Sequence, residues 1–590
     1  MLLKAFLCAK SRFHLRFNPI TFAYLIVITL NLYLRSLVPL NAAFLTPHDD
    51  QLGIELSSSI LSSGWLGEWN NRTLAKPPGY SLYLAFTHYI PIPFAILNQL
   101  FFIFVVMLLI IKLKKIGPSD FRFKELFFLI CFTFLIFQPI LFASGANRIY
   151  RSSITIGILT LLYSVILMGV FNKILISKND SFFGLNNRFS IYLDFMCLSL
   201  IYAALRLFRY ESFWILLCSV PLLLVAIALR RRMLNVDEGE RRRFLKLLLP
   251  VPLILIIFYS GPILTVQELN RSAYGVNLTE NYYQGSFPEA INLWASVEVG
   301  RDPRPYVLVS AQQRAAVYGV SKNASLMKPF LESPTNGWNV MVCNTLRMCD
   351  NSGAWFTWQV RDAAVATGLV YSERGFQSFF KEITIDIQNA CDSSRFSCAS
   401  KSNLVGTKPL LEIPVERLID YTISNFNVLL PINSTSPIIL NKPDSSGAPD
   451  EVVSMYHDVV RYSPTSNFDD KQLERTSKIL NGISTLYLPL NLIVCLLGLI
   501  GLLIALIRRI NLQIVLISIF LMGGMLSQLV GASLAQISFG TRPGTVIYLL
   551  SAFPMLHMFG VLGLLTLISH FPKKSLTKVP VPSKQDNNEV

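Results

Sequence analysis

The feature that most constrains this chain is a series of apolar runs, most about twenty residues long, separated by short loops rich in Lys and Arg. A helix of ~20 residues spans the ~30 Å hydrocarbon core of a bilayer. Inside lipid the backbone must satisfy its own hydrogen bonds, which such helices do. About ten runs can be placed, at about 20–40, 92–112, 125–143, 153–173, 191–207, 213–229, 246–266, 483–507, 511–531 and 544–569. The expected fold is therefore an all-α polytopic membrane protein. With 52% hydrophobic and only 15% charged residues, an ordinary soluble domain is excluded.

The formal charge of +16 sits in the loops that flank these runs. The clusters Lys112, Lys114 and Lys115, then Arg230 to Arg232, Arg241 to Arg243, and Arg508 and Arg509 all fall on one side when odd-numbered runs lead out and even-numbered runs return. By the positive-inside rule that side is the cytoplasm, and no nucleic-acid partner is expected. The first run follows Lys4, Lys10, Arg12 and Arg16, is long enough to span, and lacks a small-residue cleavage site, so it reads as a retained helix. The expected location is a bacterial inner membrane, with both termini cytoplasmic.

Four regions follow: a membrane module at 1–266 with a first outer loop at 41–91, an extracytoplasmic domain at 267–482, C-terminal membrane helices at 483–570, and a cytoplasmic tail at 571–590. The extracytoplasmic domain reads as mainly helical, with helices expected at Pro288–Val297, Pro305–Tyr318, Ala354–Thr367 and Gly375–Ala390 and a loop between about 432 and 450. Its closely spaced cysteines suit disulfides on an oxidising side, as Cys343–Cys349 and Cys391–Cys398.

Ionisable residues deep in the runs are sparse, with His557 the main example, so a transport pathway is poorly supported. Polar residues gather instead in the outer loops. The first carries His48, Asp49 and Asp50, an amphipathic stretch from Leu52 to Leu66, and the turn Lys76-Pro77-Pro78-Gly79 leading into Tyr80. The second carries Arg148 and Arg151, the third Arg206, Arg209 and Glu211, and the last Arg542. One such Arg alone is explained by snorkelling. Their recurrence opposite to the usual charge bias favours a shared anionic ligand at the membrane surface. Arg and Lys suit a lipid phosphate, and a carboxylate beside them can act as general base. A divalent metal at His48, Asp49 and Asp50 is conceivable but not expected, because adjacent residues seldom converge on one ion.

This order of motifs resembles the GT-C glycosyltransferases, in particular the protein O-mannosyltransferases and the lipid A aminoarabinose transferase. Those share a first span, an outer loop opening with Asp-Glu, a short amphipathic helix and a Lys-Pro turn. The likeness covers roughly the first 230 residues, with Asp50 standing where the family has Glu. It implies that Asp49 is the catalytic base, with Asp50 beside it. It also places Lys76 at the donor phosphate and likens Arg209 and Glu211 to the family's Arg-Tyr-Glu element.

The expected activity is inverting transfer of a sugar from a polyprenyl-phosphate donor to a lipid, glycan or protein acceptor on the outer face. Lys76, Arg209, Arg206, Arg148 and Arg151 are the expected phosphate contacts, with His48, Glu211, Tyr80 and Arg542 in support. The alternatives are a non-enzymatic transporter or scaffold for lipid-linked glycans, and an oligosaccharide ligase using a pyrophosphate carrier.

Overall fold

The computed structural model describes residues 19–117, 123–176, 185–233, 238–346, 350, 353–399, 407–408, 412–430, 438–442, 445–461 and 468–569, with the side chains of 185–187, 211, 240, 345–346 and 354 excepted. The described chain is helical throughout, and its β-type pairing is confined to two isolated bridges, Asn41 with Arg148 and Val297 with Cys398.

Nine helices among the described residues are long and apolar enough to cross a membrane: Pro19–Ser36, Phe94–Ile116, Lys124–Phe142, Ile154–Ile176, Arg188–Phe208, Trp214–Met233, Arg241–Tyr274, Asp470–Arg508 and Leu512–Phe539. Two run well past the apolar segments that announce them. The seventh continues to Tyr274, and the eighth starts at Asp470, where the Asp469 side chain accepts from the Lys471 amide at 3.3 Å.

The tenth run departs from expectation. Its helix is only Ala552–Ile568, preceded by a single 3-10 turn at Val546–Tyr548. Gly544, at φ +86° after Pro543, bars a right-handed helix at the run's first residue, and residues 545–551 take a 3-10 turn and further turns before the helix begins. The short helix is buried on nearly all sides. It packs so closely against the 470–508 helix that a Cβ on Gly501 would collide with the Gly563 carbonyl, the close approach that small residues permit between apolar helices.

The large segment between the seventh and eighth long helices divides in two. Residues 286–398 form their own core around Phe287, Trp294, Phe376 and Phe380, with the Phe287 and Phe380 rings edge-to-face at 4.9 Å. Such aromatic pairs add ~0.5–1.5 kcal/mol beyond the area they bury. Its helices include Ser286–Ser296, Gly353–Ala366 and Glu373–Asp392, near the expected positions. The helix expected over 305–318 forms only at Ala311–Tyr318, because Ser310 and Gln313 make a capping box that starts it there. Helices at Lys322–Leu331 and Gly337–Leu346 are additional. Cys391 and Cys398 are disulfide-bonded. Cys343 is also in a disulfide, while Cys349 lies outside the described residues.

Two further helices, Val415–Leu429 and Asp450–Val460, belong instead to the core of the spanning bundle. The second packs on the helices Asp50–Ser63 and Gly79–His88 of the first loop, where the Tyr456 hydroxyl donates to the Ala43 carbonyl at 3.3 Å.

Candidate active site

The first loop is anchored before it reaches its acidic pair. The Asn41 amide donates to the Asn147 carbonyl at 3.0 Å, and the Ile149 amide donates to the Asn41 carbonyl at 2.9 Å. This bridge lays the second loop alongside the first and delivers Arg148 to the acids.

Asp49 and Asp50 then diverge. Asp49 has non-helical dihedrals, φ −125° and ψ −98°, whereas Asp50 is the first residue of the 50–63 helix. Asp50 is fully buried, accepts from Arg148 Nε at 2.8 and 2.9 Å on its two oxygens, and accepts from the Ala43 amide at 3.1 Å. Burial pushes its carboxyl up and the Asp49 charge adds to this, while Arg148 and the Ala43 amide oppose both. It lines none of the three spaces described below.

Asp49 faces the other way, with 40% of its side chain exposed. Its Oδ1 accepts from Lys76 Nζ at 2.6 Å, and its Oδ2 lies 3.8 Å from Arg148. Burial favours a neutral Asp49, but the Lys76 charge and hydrogen bond, with Arg148 and Arg151, outweigh it and hold the carboxyl at about 2. Lys76 is lowered to about 8, by burial first and by Arg151, against the pull of Asp49. Its ammonium also lies over the Tyr150 and Trp358 rings, at 5.1 and 5.7 Å from their centroids.

The turn after Lys76 is seated by a close approach. A Cβ on Gly79 would lie 2.6 Å from the Leu207 carbonyl, so only glycine lets this turn rest on the end of the 185–208 helix. Arg209 follows immediately, where an extended residue breaks that helix from the 3-10 turn Tyr210–Phe213.

Lys76, Asp49, Arg151 and Arg209 thereby line one small cavity of about 140 Å³, with Tyr150, Tyr282, Tyr283, Trp358 and Tyr548 among its other walls. Glu280, wholly buried, shapes the far wall by accepting from the Tyr282 and Tyr283 amides at 2.6 and 3.0 Å. The loop is strapped to the 286–398 domain as well. Arg361 donates to the Asn71 carbonyl and, at 2.7 Å, to Asn281 Oδ1, and the Asn281 amide donates to the Leu74 carbonyl at 2.7 Å.

Two larger spaces adjoin this cavity. One, about 510 Å³, is an apolar groove between the 154–176, 214–233 and 512–539 helices, and shares Arg209, Tyr283 and Tyr548 with the cavity. Its residues Leu217 and Leu526 are 66% and 55% exposed, so it opens sideways onto the apolar surface of the bundle. The other, about 1060 Å³, opens toward the 286–398 domain and shares Asp49, Tyr150, Trp358 and Tyr548.

No protein-family model, curated protein or solved structure matches the chain.

Five of the residues singled out from sequence line these spaces: His48, Asp49, Lys76, Arg151 and Arg209. The others stand apart. Arg148 is engaged by Asp50. Arg206 donates to the Tyr210 carbonyl and stacks on the Tyr210 ring at 3.9 Å. Tyr80 is buried against Phe208, and Arg542 is exposed outside the cavity walls. The Glu211 side chain is outside those described. His48 sits between the Trp338 and Trp358 rings, at 4.8 and 4.5 Å, and burial, with Arg72 and Lys76, lowers its imidazole to about 3. Among the described residues no group of three or more His, Cys, Asp or Glu is placed to hold a metal ion.

The aromatic walls were missed in sequence. The pairs Tyr282-Tyr283 and Trp355 with Trp358 are visible there, but aromatic residues are too common in a chain this apolar to be singled out.

Proposed function

We propose that this chain is a membrane glycosyltransferase of GT-C type, which moves a sugar from a polyprenyl-phosphate donor to an acceptor hydroxyl on the outer face. The observation that carries this reading is the position of Asp49. Its carboxylate stands where a small cation-lined cavity meets a large open one, and the small cavity runs into an apolar groove.

The three spaces match the three parts of the reaction. The prenyl chain fits the groove, with burial of apolar surface stabilising it by ~25 cal/mol per Å². The phosphate fits beside Lys76, Arg151 and Arg209, and the acceptor enters from the larger space. The acceptor oxygen attacks the anomeric carbon as the bond from that carbon to the phosphate oxygen breaks. The acceptor proton passes to Asp49, and the electron pair leaves on the lipid phosphate, where the cations stabilise it.

The Asp49–Lys76 pair suits this sequence of events. A carboxylate held at about 2 is a weak base. A phosphate that competes for the Lys76 ammonium weakens that hold, so the donor's arrival raises the basicity of Asp49. Asp50 and Arg148 keep the platform in place beneath it. The outer-face assignment draws support from the basic cluster Arg230 to Arg232 at the end of the 214–233 helix, opposite the end whose Trp214 lines the groove.

The test is mass spectrometry of surface glycans and glycolipids in cells carrying the wild-type protein, Asp49→Asn, or no copy. Loss of one glycan species in both of the latter supports the transferase. A full glycan complement with a well-expressed Asp49→Asn protein favours a non-enzymatic scaffold instead.

A further inference from the structure

The larger cavity has a composition unlike its neighbour. At about 1060 Å³ it meets or exceeds the ~300–1,000 Å³ usual for a site that encloses one small molecule. Asp49 is the one formally charged side chain among its lining residues. Trp338, Trp355 and Trp358, three of the chain's seven tryptophans, stand in its walls. Trp338 is held in orientation by a hydrogen bond from its indole to Asp362 at 2.7 Å, and it and Trp355 remain half-buried. Hydroxyls of Ser333 and Thr335 lie near them, 3.1 Å apart.

We propose that this cavity is the acceptor subsite and that it takes an uncharged oligosaccharide, stacked by its C–H faces on Trp338 and Trp355 with the accepting hydroxyl toward Asp49. The inference rests on the transferase reading and adds the class of acceptor. An anionic acceptor would leave water without a compensating cation in the walls and would be repelled by Asp49, and a cationic one would find Asp49 already paired with Lys76. A peptide would need partners for its backbone amides. The one side-chain amide in the lining, Asn336, already donates to the Phe330 carbonyl at 2.9 Å and accepts from the Trp338 amide at 2.9 Å, which leaves it half of its hydrogen-bonding capacity for a peptide. A sugar ring presents an apolar face edged by hydroxyls, which is what indole faces beside Ser and Thr hydroxyls complement. The size of the cavity favours several linked units over one.

The experiment uses the full-length protein in lipid nanodiscs and measures binding of three probe sets. These are uncharged gluco-, manno-, galacto-, rhamno- and arabino-oligosaccharides, carboxylated hyaluronan oligosaccharides, and Ser/Thr-rich peptides. At least one uncharged set should bind ten-fold or more tightly than the charged sugars and the peptides. Trp355→Ala should weaken it about ten-fold, and Trp355→Phe by less. Asp49→Asn should keep this binding while losing transfer, so failure of the binding and failure of the transferase are separate results. Radical footprinting of the wild-type protein supplies a measurement independent of any variant: the bound sugar should shield Trp338 and Trp355. Tighter peptide binding, no binding of any uncharged sugar, or bound sugar that leaves both tryptophans unshielded overturns the proposal.

Discussion

Asp49 and Lys76, 27 residues apart in the chain, meet at 2.6 Å in the wall of a cavity, while Asp50, the adjacent acid, turns into the protein to meet Arg148. One pair of consecutive carboxylates thus supplies two different environments. Asp50 and Arg148 lock two loops together. Asp49 keeps an oxygen facing open space.

That division predicts different outcomes for the two acids. Asp49→Asn should lower transfer ~10²–10⁴-fold, the usual contribution of a general base, and should cost some stability as well because Lys76 loses its ion partner. Asp50→Asn keeps an oxygen for Arg148 but removes the buried charge, and should cost about 1–3 kcal/mol of stability through the contact that joins the two loops. Thermal unfolding in nanodiscs, run beside a transfer assay, checks both. Normal melting of Asp50→Asn would remove it from the structural role.

Lys76 sets a pH limb. Its folded pKa, about 8, lies below the ordinary lysine value of 10.5, so the folded protein releases this proton first and the charge is lost as pH rises through about 8. Donor affinity should therefore fall above that pH, seen as a rising KM for the donor. Lys76→Arg should move the limb upward, since a guanidinium stays protonated there. Asp49 stays ionised throughout this window and adds no limb of its own.

The arginines should separate in the same assay. Arg209 lines both the small cavity and the apolar groove, whereas Arg206 is engaged with Tyr210. Arg209→Ala should raise the donor KM by about ten-fold or more, in line with ~1.5–3 kcal/mol for a hydrogen bond to a charged group. Arg206→Ala should change it little and lower stability instead.

Gly79→Ala should be damaging out of proportion to one methyl group. The added carbon meets the Leu207 carbonyl at 2.6 Å, and backbone on both sides must shift. A loss of about 1–3 kcal/mol is expected from such overpacking, together with a weaker hold on the donor because Lys76 moves. Unchanged melting and unchanged KM would show that the turn does not depend on this contact.

Much of this architecture can be read from sequence, and the reasons are local. Apolar length and flanking charge announce the spanning helices, since hydrophobicity and length are summed along the chain. The acidic loop and its lysine stand out because charge is rare in so apolar a sequence. The start of the 552–568 helix was harder to read, because hydropathy continues through residues 545–551, which form a 3-10 turn and further turns in place of a helix.

What the sequence by itself determined is the set of helices and the few charged residues between them. Only the tertiary structure decided which cation each acid takes, which arginines reach a cavity, and that Trp338 and Trp358, far from His48 in the chain, flank its ring. The physical reason is that helix formation and apolar burial depend on neighbours in the chain. Ion pairing and cavity shape depend on loops brought together through bridges such as Asn41 with Arg148 and close contacts such as Gly79 with Leu207.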